Sequence, residues 1–411
     1  MYQERRPGVT RLLPTSRALP LLGPAFVTAI AYVDPGNFAT NLAAGSRYGY
    51  LLVWVVVVSN VMAVLIQYLS AKTGIASGLS LPALCRREFP RPLVRLLWVQ
   101  AELVAIATDV AEIVGGAIAL KLLFDIPLLT GGVITAVVAF ALLGLKSRGH
   151  KPFEAAITGM LGVILIGFVY SLLADAPDPL AIAGGLQPRF DGIDSVLLAS
   201  GMLGATVMPH AIYLHSSLTA GRFRATDDAQ RKVILRGQRI DVVSAMTVAG
   251  LMNLALLVIA ANVLGNGEGE SIERAHEVFG VVSGEGTALL FAIALLASGF
   301  AASSVGTLSG QIVMEGFLKR QIPLVLRRLA SLLPALLILL AGADPTKTLV
   351  ASQVVLSFGI PFALVPLVMF TRRADIMGGL RNRRLTTAAA AIVAAVIIVL
   401  NLSLVVLTFA G

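Results

Sequence analysis

The apolar positions of this chain fall in long runs separated by short polar connections. Each run reaches the roughly 20 residues that an α-helix needs to cross a bilayer core. Eleven such runs can be drawn, at 20–46, 50–73, 94–123, 126–145, 153–174, 193–220, 236–264, 286–317, 323–342, 347–371 and 386–409. Two of them, the first and the sixth, are broken at their centres. The first break reads Ala31-Tyr32-Val33-Asp34-Pro35-Gly36-Asn37 and the second Ala205-Thr206-Val207-Met208-Pro209-His210. Aligned on their prolines, they share Ala, Val and Pro. A proline removes a backbone donor and clashes with the preceding turn. The residue before it is pushed out of helical geometry.

Composition supports the membrane reading. Hydrophobic residues make up 57% of the chain and charged residues only 13%, where a soluble domain carries about a quarter charged. The net charge of +9 does not point to nucleic acid, because its distribution is one-sided. With the N-terminus inside and eleven alternating spans, 27 of the 32 Lys and Arg fall on the inner side. Arg47, Lys121, Arg189, Arg274 and Lys347 remain outside. This asymmetry is the positive-inside rule. It predicts a multi-pass plasma-membrane protein of bacterial inner-membrane type, with a cytoplasmic N-terminus and an extracytoplasmic C-terminus. The arginines at 5, 6, 11 and 17 precede a long apolar run, which fits an anchor rather than a cleaved signal. Cys85 is the single cysteine, so neither a disulfide nor a thiolate metal cluster is expected within the chain.

Five spans precede the second break, so span six enters the membrane in the opposite sense to span one. This predicts an all-α fold of inverted repeats. A cytoplasmic tail (1–19) precedes a first five-helix unit (20–174). A second five-helix unit (193–371) and an appended eleventh helix (386–409) follow, all in one transmembrane transporter domain. Paired helix breaks in two halves of a membrane protein point to a substrate site. Unwound backbone survives at membrane depth only where protein or a polar cavity satisfies it. The carbonyls of Ala31 and Ala205, one turn before the breaks, are therefore candidate cation ligands. Asp34 is a carboxylate at membrane depth, at a cost of roughly 2.5–3.5 kcal/mol, and such residues are functional by default. Asn37 adds a neutral oxygen and Met208 a thioether sulfur. Soft sulfur suits transition metals and gives magnesium or calcium nothing.

The motifs Asp34-Pro35-Gly36-Asn37 and Met208-Pro209-His210 resemble the two signatures of the Nramp (natural resistance-associated macrophage protein) family of divalent metal transporters. The resemblance runs from Gly23-Pro24 to Gln353 and Pro361. It implies a LeuT-like fold and proton-coupled uptake of Mn2+, Fe2+ and similar ions (Cd2+, Co2+, Zn2+), with no permanently bound cofactor. It implies metal ligation by Asp34, Asn37, Met208 and the carbonyls of Ala31 and Ala205, joined by Gln353. It also implies that Gln67 and Asn253 help close the external path.

A proton route is legible in span three. Glu102, Asp109 and Glu112 share a stripe about 80° wide on one helical face. Buried acid and histidine chains mark proton relays, and His210 stands two residues past Met208. By resemblance, Arg327 and Arg328 in span nine lie along the exit, although plain positive-inside anchoring also accounts for them. His215 reads as a hydrogen-bonding residue that could face an inner vestibule. The competing readings are a sodium-coupled organic-solute symporter, an uncoupled metal channel and an intramembrane hydrolase. Asp34 would repel a substrate carboxylate, and no HExxH-like pattern or nucleophile–base pair supports an enzyme. Metal ions, protons and lipid are the expected partners, with no nucleic acid and no obligatory protein partner.

Overall fold

The computed structural model describes residues 23–145, 150–223, 228–265, 271–320 and 322–410. The expected tail at 1–19, with its four arginines, lies outside the described residues. Every regular element among the described residues is helical. Span one is split into α1 (Pro24–Ala29), a 3₁₀ turn (Ile30–Val33) and α2 (Pro35–Tyr48). Span two is α3 (Val53–Ser77), and a short helix, α4 (Leu81–Glu88), follows it. Spans three to five are α5 (Arg91–Phe124), α6 (Leu128–Gly144) and α7 (His150–Ala174), followed by a short α8 (Pro179–Gly184). Span six is split into α9 (Gly192–Thr206) and α10 (Pro209–Thr219). Span seven is α11 (Asp228–Val263), and α12 (Ile272–Val282) lies in the next connection. The remaining spans are α13 (Glu285–Leu318), α14 (Leu324–Leu340), α15 (Pro345–Thr371) and, after a short α16 (Ala374–Met377), α17 (Arg384–Ala410). All eleven expected runs are present. The connecting helices α4, α8, α12 and α16 were not legible, because four to eleven residues carry too little periodicity.

Both breaks have the local geometry that proline dictates. Asp34 (φ −78°, ψ 168°) and Met208 (φ −73°, ψ 127°) are extended, and each is followed by proline as the first helical residue. The opposed sense of spans one and six is visible in what meets at each end. On one side, Ser46 Oγ donates to the Leu264 carbonyl, Trp54 Nε1 to the Arg189 carbonyl and the Ile272 amide to Thr346 Oγ1. On the other, the Gly23 amide meets Asp241, the Leu81 amide meets Ser216 and Arg373 meets Glu88. The ends of α2 and α9 belong to the first side, and the ends of α1 and α10 to the second.

Long helices α5 and α13 form the spine against which span one packs. They cross at Gly116 and Gly299, where a Cβ on Gly299 would lie 2.9 Å from the Gly116 Cα. Small residues at such crossings let backbones approach, which is how helices associate without a hydrophobic driving force in lipid. Apolar side chains on α17, including Leu385 and Ile392, remain exposed, as the lipid-facing side of an outer helix should be.

Candidate metal centre

Asp34 is fully buried, and none of its hydrogen-bond partners carries charge. Its Oδ1 accepts from the Asn37 amide and from Asn37 Nδ2, both at 2.8 Å. The first contact caps α2. Asn37 Nδ2 also donates to the Ala205 carbonyl at 3.0 Å, so the two breaks touch directly. Gln353 Nε2 of α15 reaches Asp34 Oδ2 at 3.4 Å. Spans one, six and ten thus converge on one carboxylate.

The remaining chemistry is an excess of acceptors. Asn37 Oδ1 and Gln353 Oε1 are buried and have no hydrogen-bond partner. A buried acceptor left unpaired is costly, and a carboxylate with no cation beside it is more so. A cation bound there would satisfy all three groups. Met208, also fully buried, packs in the same apolar cluster as Ala31, Tyr32 and Val33. Among the described residues, no group of three or more His, Cys, Asp or Glu is arranged to hold a metal. The candidate centre has one acid and otherwise neutral donors.

Other carbonyls at and just past the breaks accept from side chains of neighbouring helices. Asn253 Nδ2 donates to the Tyr32 carbonyl at 2.6 Å, Ser298 Oγ to the Val33 carbonyl at 2.6 Å and Ser309 Oγ to the His210 carbonyl at 2.8 Å. Asn253 Oδ1 accepts from Asn41 Nδ2 at 2.8 Å, so Asn253 spans the first break. Sequence reading missed Ser298, Ser309, Asn41 and Tyr32. A serine in an apolar helix carries no signal that separates such a bond from the ordinary one to its own helix.

Gln67 has two buried partners. Its Nε2 donates to the Tyr32 hydroxyl at 2.5 Å, and its Oε1 pairs with His215 Nδ1 at 2.8 Å. Tyr32 lies in the 3₁₀ turn of the first break and His215 on α10, so Gln67 of α3 ties the two broken spans together. His215 is fully buried in this web instead of facing a vestibule. On the α2 and α9 side, a cavity of about 870 Å3 is lined by Ala43, Arg47, Asp194, Leu198, Val350 and Val354. Asp34, Asn37, Met208 and Gln353 do not line it and are fully buried.

The three acids of α5 differ in depth. Asp109 and Glu112 are buried, whereas Glu102 is half-buried and accepts from Trp98 Nε1 at 3.3 Å. His210 Nδ1 lies 3.4 Å from Thr108 Oγ1, on the residue preceding Asp109. Its Nε2 has no hydrogen-bond partner. His210 therefore contacts α5 through Thr108, one position from Asp109 in the chain. Arg327 and Arg328 fall on α14, but their side chains lie outside the described residues. Asn401, part of an Asn-x-Ser pattern in span eleven, is buried and bonded to Ser357.

Residues 25–407 match the family model described as natural resistance-associated macrophage protein-like. The chain is 52% identical over 394 residues to the divalent metal cation transporter MntH of Bacillus subtilis, covering 95% of this chain and 93% of that protein. It is 48% identical over 374 residues to MntH of Deinococcus radiodurans, covering 90% and 85% respectively. A crystal structure of the Eremococcus coleocola manganese transporter superposes with TM-score 0.84 at 32% identity, covering 94% of this chain and 86% of that one. The nucleobase-cation-symport-1 transporter Mhp1 shares the fold at TM-score 0.62 and 16% identity. Two matched helix breaks, their contact through Asn37 and Ala205, and a match along nearly the whole length agree: this chain is a multi-pass membrane protein of the Nramp family, with the LeuT-like fold.

Proposed function

We propose that this chain imports divalent transition-metal ions, manganese and ferrous iron foremost, by alternating access coupled to protons. The observation that carries this reading is Asp34, a buried carboxylate with uncharged partners, beside two unpartnered amide oxygens. The metal is cargo. Asp34, Asn37, Met208, Gln353 and the carbonyls of Ala31 and Ala205 are its proposed ligands. One acid among neutral donors suits an ion that must be released as well as bound. The Met208 sulfur favours manganese, iron, cobalt or cadmium over magnesium and calcium.

His210 and the α5 acids are the proposed proton partners. A proton leaving the centre passes from His210 toward Asp109, with Glu112, Glu102 and the Arg327–Arg328 pair further along. The five-helix units at 20–174 and 193–371 rock about the breaks. The Gln67–Tyr32–His215 web releases as the cytoplasmic side opens. The chain sits in the bacterial inner membrane with its basic side in the cytoplasm.

Proteoliposomes carrying a pH-sensitive dye inside test the coupling. Manganese uptake is expected to acidify the lumen and to speed up under an inward proton gradient. Metal entry with no lumenal acidification, under any gradient, refutes the proton route and leaves the uncoupled channel.

A further inference from the structure

Lys72 lies near the end of α3, on the basic side of the molecule. Its side chain is buried, with 6% relative exposure. Its ammonium donates to Asn382 Oδ1 at 2.7 Å and lies 5.9 Å from the centroid of the Tyr68 ring. Among the described residues, no carboxylate forms an ion pair with it. Buried ammonium groups are rare unless paired. Asn382 is itself 7% exposed, and its Nδ2 is buried without a partner. Lys72 fixes the amide with the oxygen inward and leaves both N–H donors unused.

The surroundings add donors and no spare acid. The connection from Arg372 to Arg384 holds five arginines and one acid, Asp375. Asp375 and the neighbouring Glu88 of α4 are both bound by Arg373. The connection packs against α3 and α11, which also pack against each other, and Arg239 is exposed on the basic half of α11. Bilayer-facing apolar surface starts at the same level. Leu385 is 82% exposed at the start of α17, and Ile240 beside Arg239 is 56% exposed.

We propose that Lys72, Arg239 and Asn382 form a phosphate-binding site for the headgroup of an anionic phospholipid. The headgroup seats where α3, α11 and the connection between α15 and α17 meet. Phosphate oxygens accept from the ammonium and the guanidinium, which form the strongest such bonds. The acyl chains lie along the exposed faces of α11 and α17. Basic recesses between helices on the cytoplasmic side are suited to such headgroups. Inorganic phosphate offers the same oxygens without the chains.

The test uses the purified full chain in detergent, with thermal unfolding and native mass spectrometry as readouts. Phosphatidylglycerol is expected to raise the unfolding midpoint by several degrees beyond phosphatidylcholine, since a ligand of the folded state stabilises by mass action. One phosphatidylglycerol is expected to survive per chain in the mass spectrum. Lys72→Met and Arg239→Gln lose both effects. Asn382→Asp guards against misfolding, because it gives Lys72 an internal carboxylate. It is expected to be at least as stable as wild type in phosphatidylcholine, yet to lose the phosphatidylglycerol increment. Millimolar inorganic phosphate separates the sources. If it reproduces the whole increment and the lipid adds nothing, the phosphate site stands and the lipid assignment is overturned. Equal effects of the two lipids, or an undiminished increment in Asn382→Asp, overturn the proposal altogether.

Discussion

Gly204 sits where α9 touches α15, behind the proposed metal centre. A Cβ there would lie 2.0 Å from the Gln353 carbonyl oxygen and 2.9 Å from the Ser357 amide nitrogen. Both are backbone atoms, so no rotamer change relieves the overlap. Comfortable contacts lie near 3.5 Å, so Gly204→Ala must part the two helices locally by roughly 1.5 Å. Overpacking of this kind costs ~1–3 kcal/mol. The Gln353 bond to Asp34 is already long at 3.4 Å, and the displacement breaks it and withdraws Gln353 Oε1 from the centre. Losing an outer partner of a metal ligand weakens binding by about 10- to 100-fold. The half-saturating manganese concentration should therefore rise by at least about tenfold. The assay is manganese uptake into proteoliposomes holding a fluorescent chelator, with thermal unfolding measured in parallel. Gly162→Ala is the control: nothing lies within 4 Å of its added Cβ, and the change gains about 1 kcal/mol of helix propensity. Wild-type affinity and an unchanged midpoint in Gly204→Ala would refute the claim that this contact sets the position of Gln353.

Three further outcomes are expected. Asn253→Ala strands the Tyr32 carbonyl and the Asn41 amide, and should cost about 1–3 kcal/mol, read as a lowered unfolding midpoint; no loss of stability would show that these groups find other partners. Met208→Ala should lose discrimination against magnesium and calcium more than it loses manganese uptake, so a competition assay with unchanged selectivity defeats the thioether argument. Glu88, on the connecting helix α4, is held below the usual carboxylate range by its hydrogen bond to Arg87, reinforced by Arg373. A depressed carboxylate stabilises the fold above its unfolded value of about 4.3, and that contribution fades as pH falls through the folded value. The acid limb of a stability–pH profile should therefore flatten in Glu88→Gln, and an identical limb counts against the pair.

How far the sequence reached depended on the range of the interaction. The eleven spans follow from run length, because hydrocarbon forbids unpaired backbone and only a helix of about 20 residues satisfies itself. The breaks at Asp34 and Met208 follow from proline, whose steric effect acts on the adjacent residue and needs no tertiary context. The proposed ligands stand out in the sequence because polar groups at membrane depth are expensive enough to be conspicuous. Partner choice across helices was not legible. Ser298 and Asn253 answer carbonyls more than 200 positions away in the chain, and Gln67 turns toward His215 on α10. Nothing local to those residues encodes the choice. Only the packing of α3, α11 and α13 around span one brings each donor within hydrogen-bond reach. The sequence by itself determined where the chain opens its helices and what chemistry it exposes there. The tertiary structure decided which groups close around the opening, because a hydrogen bond is made by position and not by residue type.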